Sequence, residues 1–338
     1  MVTYNHEAYI SQAIEGALRQ QTEFPFEIVI GEDCSTDGTR KIVLDYREKY
    51  PDRIRIVTSG RNVGAQANTF RVSNACLGKY IAYCDGDDFW HHPSKLQRQV
   101  DYLERHPDVG LVHSDHNLYL DDESRTIEQF QKLSAKSSWT DENDTFSGIL
   151  LDRYPIATCT VCVRNHLVRQ AYEQEREIFE HQGTKMADLC LWLHISRYCR
   201  FAYIDEALAT YRALAESAAH SRSRIGTLSF VESSERIRLY FAEKYDCPEK
   251  IRAAVKKSYY TLVLNKAYHA NDRQLAQSAF DTLVDLDRHV PMRLRLYLLG
   301  GSSRLIKAAI TPFAFLRIVL LRAQRMLYLF RYARKGAH

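Results

Sequence analysis

The 338-residue chain has no long apolar run. The longest uncharged apolar stretch near its end, residues 308–316, is far shorter than the about 20 residues a membrane-spanning helix needs, and no signal peptide opens the chain. Its eight cysteines have no framework spacing and sit mostly in apolar segments, which reads as reduced, buried thiols of a cytosolic protein. Cys159 and Cys162 form a CxxC, but no second pair and no matching histidine pair accompany it. β-Branched neighbours make a strand the better reading than a zinc site. Acid is missing from residues 288–338, which hold eleven Lys and Arg. Residues 1–287 carry 35 basic against 42 acidic side chains, so the whole of the net charge of +4 comes from the tail. Those basic residues are interleaved with bulky aliphatics rather than standing in an exposed polar stripe, which argues against nucleic acid as a partner. An apolar fraction of 45% and a charged fraction of 26% exclude wholesale disorder, and the length allows a sizeable core and up to two domains.

What is present centres on residues 80–90. An aromatic, strand-like run, Tyr80-Ile81-Ala82-Tyr83-Cys84, ends in Asp85-Gly86-Asp87-Asp88 and then Phe89-Trp90. Three carboxylates this close repel one another unless a divalent cation, or a ligand bringing one, offsets them; the alternative is a solvated acidic turn. Upstream, residues 8–19 have helical spacing, with Ile10, Ala13, Ile14, Ala17 and Leu18 on one face. Residues 26–31 read as a short buried strand ending in the polar loop 32–39, a helix covers 40–49, a strand 53–58 and a helix 65–77. Strand and helix alternating at this pace predict a mostly parallel α/β sheet flanked by helices, and such sheets bind ligands at the carboxyl ends of their strands. Three of those ends are polar or acidic, Tyr4-Asn5, Glu32-Asp33 and Asp85 to Asp88, and should converge on one edge.

Taken in register, Thr3-Tyr4-Asn5, Glu32-Asp33-Cys34-Ser35-Thr36-Asp37, Asn62-Val63-Gly64 and Asp85-Gly86-Asp87-Asp88-Phe89-Trp90 resemble family 2 of the inverting nucleotide-sugar glycosyltransferases, of the type that builds bacterial cell-surface polysaccharide. The likeness runs on through Lys95-Leu96-Gln97 to Tyr211-Arg212, about two thirds of the chain. The resemblance implies a Rossmann-like GT-A fold, a nucleotide-diphosphate sugar as donor (a UDP-sugar foremost), and Mn²⁺ or Mg²⁺ on the diphosphate. It implies Asp87 and Asp88 as metal carboxylates, Asp85 near the ribose, Asp33 accepting from a uracil or thymine base, Tyr4 against that base, and Thr3, Asn5 and Asn62 in the same donor site. Helix N-cap for Asp33 and core tyrosine for Tyr4 are the bland readings of the same residues. The run ahead of Tyr4 is three residues long where the family has a full strand, so a short first strand or a start lying upstream is expected.

An inverting transfer needs a base for the acceptor hydroxyl. Asp188, ahead of the apolar helical run 189–195, resembles the family's acidic residue in the acceptor half; on spacing alone it is equally a favourable first-turn helix residue. Residues 111–116 read as a strand whose His113 or Asp115 reaches the sugar or, for His113 and His116, simply satisfies the core. Residues 123–144 read as a mobile loop and 155–164 as a β-branched strand with Thr158 and Thr160 at the acceptor pocket or turned outward. The family often has a histidine two residues after Tyr-Arg. Here Ala213-Leu214 follow, and the nearest histidine, His220, is the candidate for metal or phosphate, with Arg212 as a phosphate or structural partner.

Beyond residue 222 the pattern is helical and carries no catalytic constellation, as in Tyr259, Val263 and Ala267, then Leu275, Ala279 and Leu283. The expected layout is a transferase domain over 1–222, a helical hairpin region over 223–287 and a basic amphipathic tail over 288–338. In the tail, Phe315, Val319, Ala323, Met326 and Phe330 share a helical face, with Arg317, Arg322, Arg325, Arg331 and Lys335 largely opposite. That pattern predicts a helix lying on an anionic membrane surface, the alternative being a helix packed on the protein with a solvated basic face. Together with the resemblance it implies a cytoplasmic protein peripheral to the inner face of the cell membrane, with a saccharide or lipid-linked saccharide as acceptor. The reading from another class is a catalytically idle nucleotide-sugar-binding or scaffold protein.

Overall fold

The computed structural model describes residues 1–133, 145–181, 183–214 and 224–302. His220 and most of the basic tail, residues 303–338, lie outside them. The chain divides into two compact units, residues 1–252 and 253–338.

The first unit opens with β1 (Val2–Thr3), α1 (Ile10–Leu18), β2 (Ile28–Glu32), α2 (Thr39–Lys49), β3 (Ile54–Thr58) and α3 (Ala65–Ala75). The apolar face of α1 buries Ile10, Ala13, Ile14 and Ala17, as its spacing predicts. β2 is buried along its whole length, the signature of a strand covered on both faces. The order β1-β2-β3 is parallel throughout, with Thr3 opposite Glu32 and Glu32 opposite Thr58. Residue 31 has to be glycine because α3 lies directly on it: a Cβ there would stand 2.3 Å from Val72 Cγ2 and 2.5 Å from Asn68 Oδ1. Asn68 Nδ2 then donates to the Gly31 carbonyl at 2.8 Å.

The second sheet is built from β4 (Tyr80–Ala82), β5 (Val109–Leu120), β6 (Arg125–Ile127), β7 (Cys162–Arg164) and β8 (Arg200–Ala213), in the order β4-β7-β5-β6 with β8 parallel to β5. The parallel reading thus holds for the first sheet, and the second is mixed: β7 runs antiparallel to both β4 and β5, and β6 antiparallel to β5. A connection as short as that between β5 and β6 can join only antiparallel neighbours. The helices of this half are α4 (Lys95–Arg105), α5 (Phe130–Leu133), α6 (Thr145–Leu150), α7 (Asn165–Gln174), α8 (Arg176–Glu180), α9 (Ala187–Ile195) and α10 (Arg224–Lys244).

Two local expectations need correction. The strand read over 155–164 exists only as β7, and Thr158–Thr160 is a 3-10 turn. Its hydroxyls bond elsewhere, Thr158 to Asp188 and Thr160 to the Ala157 carbonyl, which favours a turn over a ladder. The stretch read as a mobile loop contains β6 and α5, the latter held by the Asp115 carboxylate, which accepts from the N–H groups of Gln131 (2.9 Å) and Lys132 (3.0 Å); residues 134–144 lie outside the described residues.

The second unit begins within α11 (Glu249–Ala270) and continues through α12 (Arg273–Leu286) and α13 (Met292–Ser302). Val263, Leu264 and Ala267 of α11 pack with Ala276, Ala279 and Leu283 of α12 and with Val290 and Leu294. Asp272 caps α12 by accepting from Leu275 N at 3.0 Å. Among the described residues no helix is long and apolar enough to cross a membrane.

Candidate active site

The strand ends do converge. Asp33 N donates to the Thr3 carbonyl (3.1 Å), and Gly86 N to the Val2 carbonyl (2.8 Å), so the ends of β1, β2 and β4 are tied together by backbone bonds. A Cβ on Gly86 would sit 2.6 Å from Thr3 Oγ1 and 2.8 Å from His6 Nδ1, so only glycine lets the acidic loop lie this close to the first strand. Asn5, with φ of 55°, accepts from Thr36 N at 2.8 Å and its own N–H bonds Ser35 Oγ at 3.1 Å. Tyr4 is 40% exposed beside them, which excludes the core-tyrosine reading.

Asp33 is buried and bridges two loops: Val63 N reaches Oδ1 at 2.9 Å and Gly64 N reaches Oδ2 at 2.8 Å, with Arg71 Nη2 3.3 Å from Oδ1. It does not cap α2, which starts only at Thr39 with Gly38 as its N-cap. Asn62 Oδ1 accepts from the same Gly64 N–H at 2.9 Å. The third strand-end loop is therefore held against the second by the Asp33 carboxylate.

The acidic loop is electrostatically strained. Burial, then the charges of Asp87 and Asp188, push the Asp85 carboxyl up to about 7. Burial, then Asp87 and Asp85, hold Asp88 well above the carboxylate range, although Arg212 N donates to its Oδ1 at 2.8 Å. This donor set fits a hard divalent cation, which would offset the mutual repulsion. Among the described residues no group of three Asp, Glu, His or Cys is placed to enclose an ion.

Arg212, on β8, is buried and fully engaged. Its Nε donates to the Asp87 carbonyl (2.9 Å), Nη1 to Asp121 (2.9 Å) and Nη2 to Gln12 (2.5 Å), and the guanidinium lies 4.8 Å from the Tyr9 ring centre and 4.9 Å from that of Tyr119. Its planar fork shapes the acidic loop from behind.

Asp188 falls in the first turn of α9, half-buried, with Oδ2 accepting from Thr158 Oγ1 at 3.0 Å and Oδ1 from Leu189 N at 2.9 Å. Burial raises its pKa against those two donors. A cavity of about 730 Å³ is lined by Asp85, Asp87, Asp88, Thr158, Lys185 and Asp188, and extends past Ile28 and Ile81 between β2 and β4. The four carboxylates thus share one space, although Asp188 lies a hundred residues from the others. His113 is fully buried, with its pKa pulled down to about 3 by burial, and the Asp115 carboxylate is committed to backbone N–H groups, so both belong to the scaffold.

Sequence reasoning missed the part behind the site. Lys95 is buried, bonds Gln99 Oε1 at 2.6 Å and places its ammonium 4.5 Å from the Trp90 ring centre, with burial lowering its pKa to about 8. Gln99 donates to the Thr160 carbonyl (2.7 Å) and Trp90 Nε1 to the Cys159 carbonyl (2.9 Å). The only signal for this in the sequence was the quoted Lys95-Leu96-Gln97 run, with no indication of its partners.

Comparison with known proteins agrees with this architecture. Residues 1–164 match the family model described as Glycosyl transferase family 2. An uncharacterized protein of Mycobacterium tuberculosis (strain ATCC 25618 / H37Rv) is 32% identical over 222 residues, 65% of this chain and 59% of that one, so the chain spans somewhat over half the length of that relative. The putative teichuronic acid biosynthesis glycosyltransferase TuaG of Bacillus subtilis (strain 168) is 27% identical over 257 residues, covering 75% of this chain and 94% of TuaG. Among solved structures, S. aureus TarS residues 1–349 superposes with a TM-score of 0.57 at 18% identity, covering 90% of this chain and 86% of that one, and its complex with UDP-GlcNAc with 0.56 at 17%. The α/β architecture, the converging strand ends and the family match together identify residues 1–164 as a glycosyl transferase family 2 domain within a GT-A fold.

Proposed function

We propose that the protein transfers a sugar, with inversion, from a nucleotide-diphosphate sugar to a saccharide or lipid-linked saccharide in the synthesis of a cell-surface polysaccharide. The observation that carries this reading is the single cavity shared by Asp188 and the acidic loop Asp85–Asp88. One wall suits a diphosphate with its cation and the other presents a carboxylate held by two donors, as direct displacement requires. The acceptor oxygen attacks the anomeric carbon as its bond to the diphosphate oxygen breaks; the hydroxyl proton passes to Asp188, and the bonding pair leaves with the nucleoside diphosphate. Asp87 and Asp88 would hold Mn²⁺ or Mg²⁺, which supplies charge stabilisation to the departing diphosphate. Asp33, Tyr4, Thr3, Asn5, Asn62 and Asp85 form the nucleoside end, with Arg212 supporting the loop. A UDP-sugar is the leading donor, since TarS is solved with UDP-GlcNAc, and TuaG is named for teichuronic acid biosynthesis.

The deciding experiment measures nucleoside diphosphate release from a panel of UDP-, dTDP- and GDP-sugars with Mn²⁺. Release with one donor class, lost in Asp87→Ala, supports the transferase. No release with any donor, together with unchanged donor binding in Asp87→Ala, would favour an idle sugar-nucleotide-binding protein. We further infer that the basic tail lies on an anionic membrane surface, with the protein peripheral to it on the cytoplasmic side. Support comes from the absence of acid after Asp287 and from α13, where Met292, Leu296 and Leu299, spaced along one face, are 70%, 36% and 47% exposed.

A further inference from the structure

We propose that Thr158 is a positioning residue for Asp188: its hydroxyl sets the direction in which the base presents its free lone pair, and the turn carrying it is fastened to the back of the acidic loop by Trp90. This rests on Asp188 acting as the base.

The turn Thr158–Thr160 is a junction between the two walls of the cavity. Forward, Thr158 Oγ1 donates to Asp188 Oδ2 at 3.0 Å. Backward, the Cys159 carbonyl accepts from Trp90 Nε1 at 2.9 Å and the Thr160 carbonyl from Gln99 Nε2 at 2.7 Å, both buried bonds. Gln99 is itself fixed by the Lys95 ammonium, and Trp90 by the close backbone of α1, since a Cβ on Gly16 would meet the Trp90 carbonyl oxygen at 2.6 Å. Trp90 is two residues past Asp88, so one short segment supplies both the acidic wall and the anchor of the base. Each oxygen of Asp188 receives one donor, Leu189 N on Oδ1 and Thr158 on Oδ2. A carboxylate with two fixed donors in different directions cannot rotate freely, and Asp188 lines the same cavity as Thr158. The backbone donor comes with any helix start. The hydroxyl comes only from the turn, which makes residue 158 the adjustable part.

A donor to the charged form lowers a carboxyl pKa, so removing it has a definite sign. The other groups that bear on Asp188 are Asp85 on the acidic loop, Cys190 on α9 and Tyr172 on α7, with Lys185 lining the same cavity; none of them changes in a Thr158 variant. Thr158→Val keeps shape and loses the donor; Thr158→Ser keeps the donor. The Asp188 carboxyl is titrated by ¹³C NMR in aspartate-labelled protein without metal, assigned against Asp188→Asn. Nucleoside diphosphate release, with the donor chosen by the panel above, is measured as a function of pH. The expected result is that Thr158→Val raises the Asp188 pKa by roughly half a unit to one unit, moves the acidic limb of the kcat profile up by the same amount and lowers kcat about tenfold with donor KM unchanged, while Thr158→Ser stays within about twofold of the parent. An Asp188 pKa unmoved in Thr158→Val overturns the proposal, whatever the activity. If Asp188→Asn keeps full release, the base reading fails instead, and the NMR shift still reports whether the bond exists.

Discussion

Arg212 N donates to Asp88 Oδ1 at 2.8 Å, while the guanidinium of the same residue holds the carbonyl of Asp87 at 2.9 Å. One residue of β8 thereby grips two successive residues of the acidic loop from a distance of more than 120 positions in the chain. An acidic loop whose members repel one another needs such a grip to stay closed in the absence of a cation.

That grip predicts the cost of losing it. Arg212→Ala should destabilise the first unit by about 3 kcal/mol, because the Asp121 carboxylate, the Gln12 amide and the Asp87 carbonyl all lose a donor. Arg212→Lys should recover less than half, since an ammonium cannot reproduce the fork between Tyr9 and Tyr119. Urea unfolding monitored by tryptophan fluorescence checks both.

The loop's repulsion predicts a pH signature. A carboxyl raised to about 7 in the folded state binds a proton there between about pH 4 and 7 that the unfolded chain does not, so its contribution to stability falls as pH rises through that window. Buried histidines with lowered pKa, such as His113, act in the opposite sense below their unfolded value, so the comparison must be with a variant. Asp85→Asn should be more stable than the parent at pH 8 without divalent cation, by on the order of 2 kcal/mol, and the gain should vanish near pH 4. Thermal melts at the two pH values, with and without Mn²⁺, measure it; a gain of equal size at both would remove the electrostatic account.

Away from the site, Glu175 is buried and accepts from His194 (2.7 Å), Tyr240 (2.9 Å) and Lys244 (2.6 Å), joining α7, α9 and α10. Burial alone would raise its pKa, and the donors outweigh it, leaving the carboxyl below its ordinary value. Its stabilisation is therefore present above the unfolded carboxylate pKa and lost as pH falls through the lower, folded one. Glu175→Ala should cost about 3 kcal/mol at pH 7, read from the shift in urea midpoint, because it strands the ring of His194 in the core.

The tail reading is checked with vesicles. The 338-residue chain should sediment with phosphatidylglycerol vesicles at low salt and be released by raised salt, whereas a chain ending at residue 302, which keeps Val290 and Leu294 in the second unit's core, should sediment at least several-fold less. Equal sedimentation of the two would exclude residues 303–338 as the membrane contact.

By itself, the sequence determined whatever depends on local pattern. The periodicity of residues 10–17 and 263–283, the buried run of β2 and the polar strand ends follow from side-chain spacing, and they suffice for the α/β class and for an edge that gathers Thr3, Asn5, Asp33 and Asp85. Only the tertiary structure decided which groups face each other across long stretches of chain. Arg212 became a clamp on Asp87 and Asp88, and Asp33 a bridge to Val63 and Gly64. Residues 158–160, read as strand, became the turn between Trp90 and Asp188. The reason is physical: a hydrogen bond between residues 30 to 125 positions apart leaves no periodic mark, and a hydroxyl that finds a half-buried carboxylate outweighs the strand preference of its β-branched neighbours.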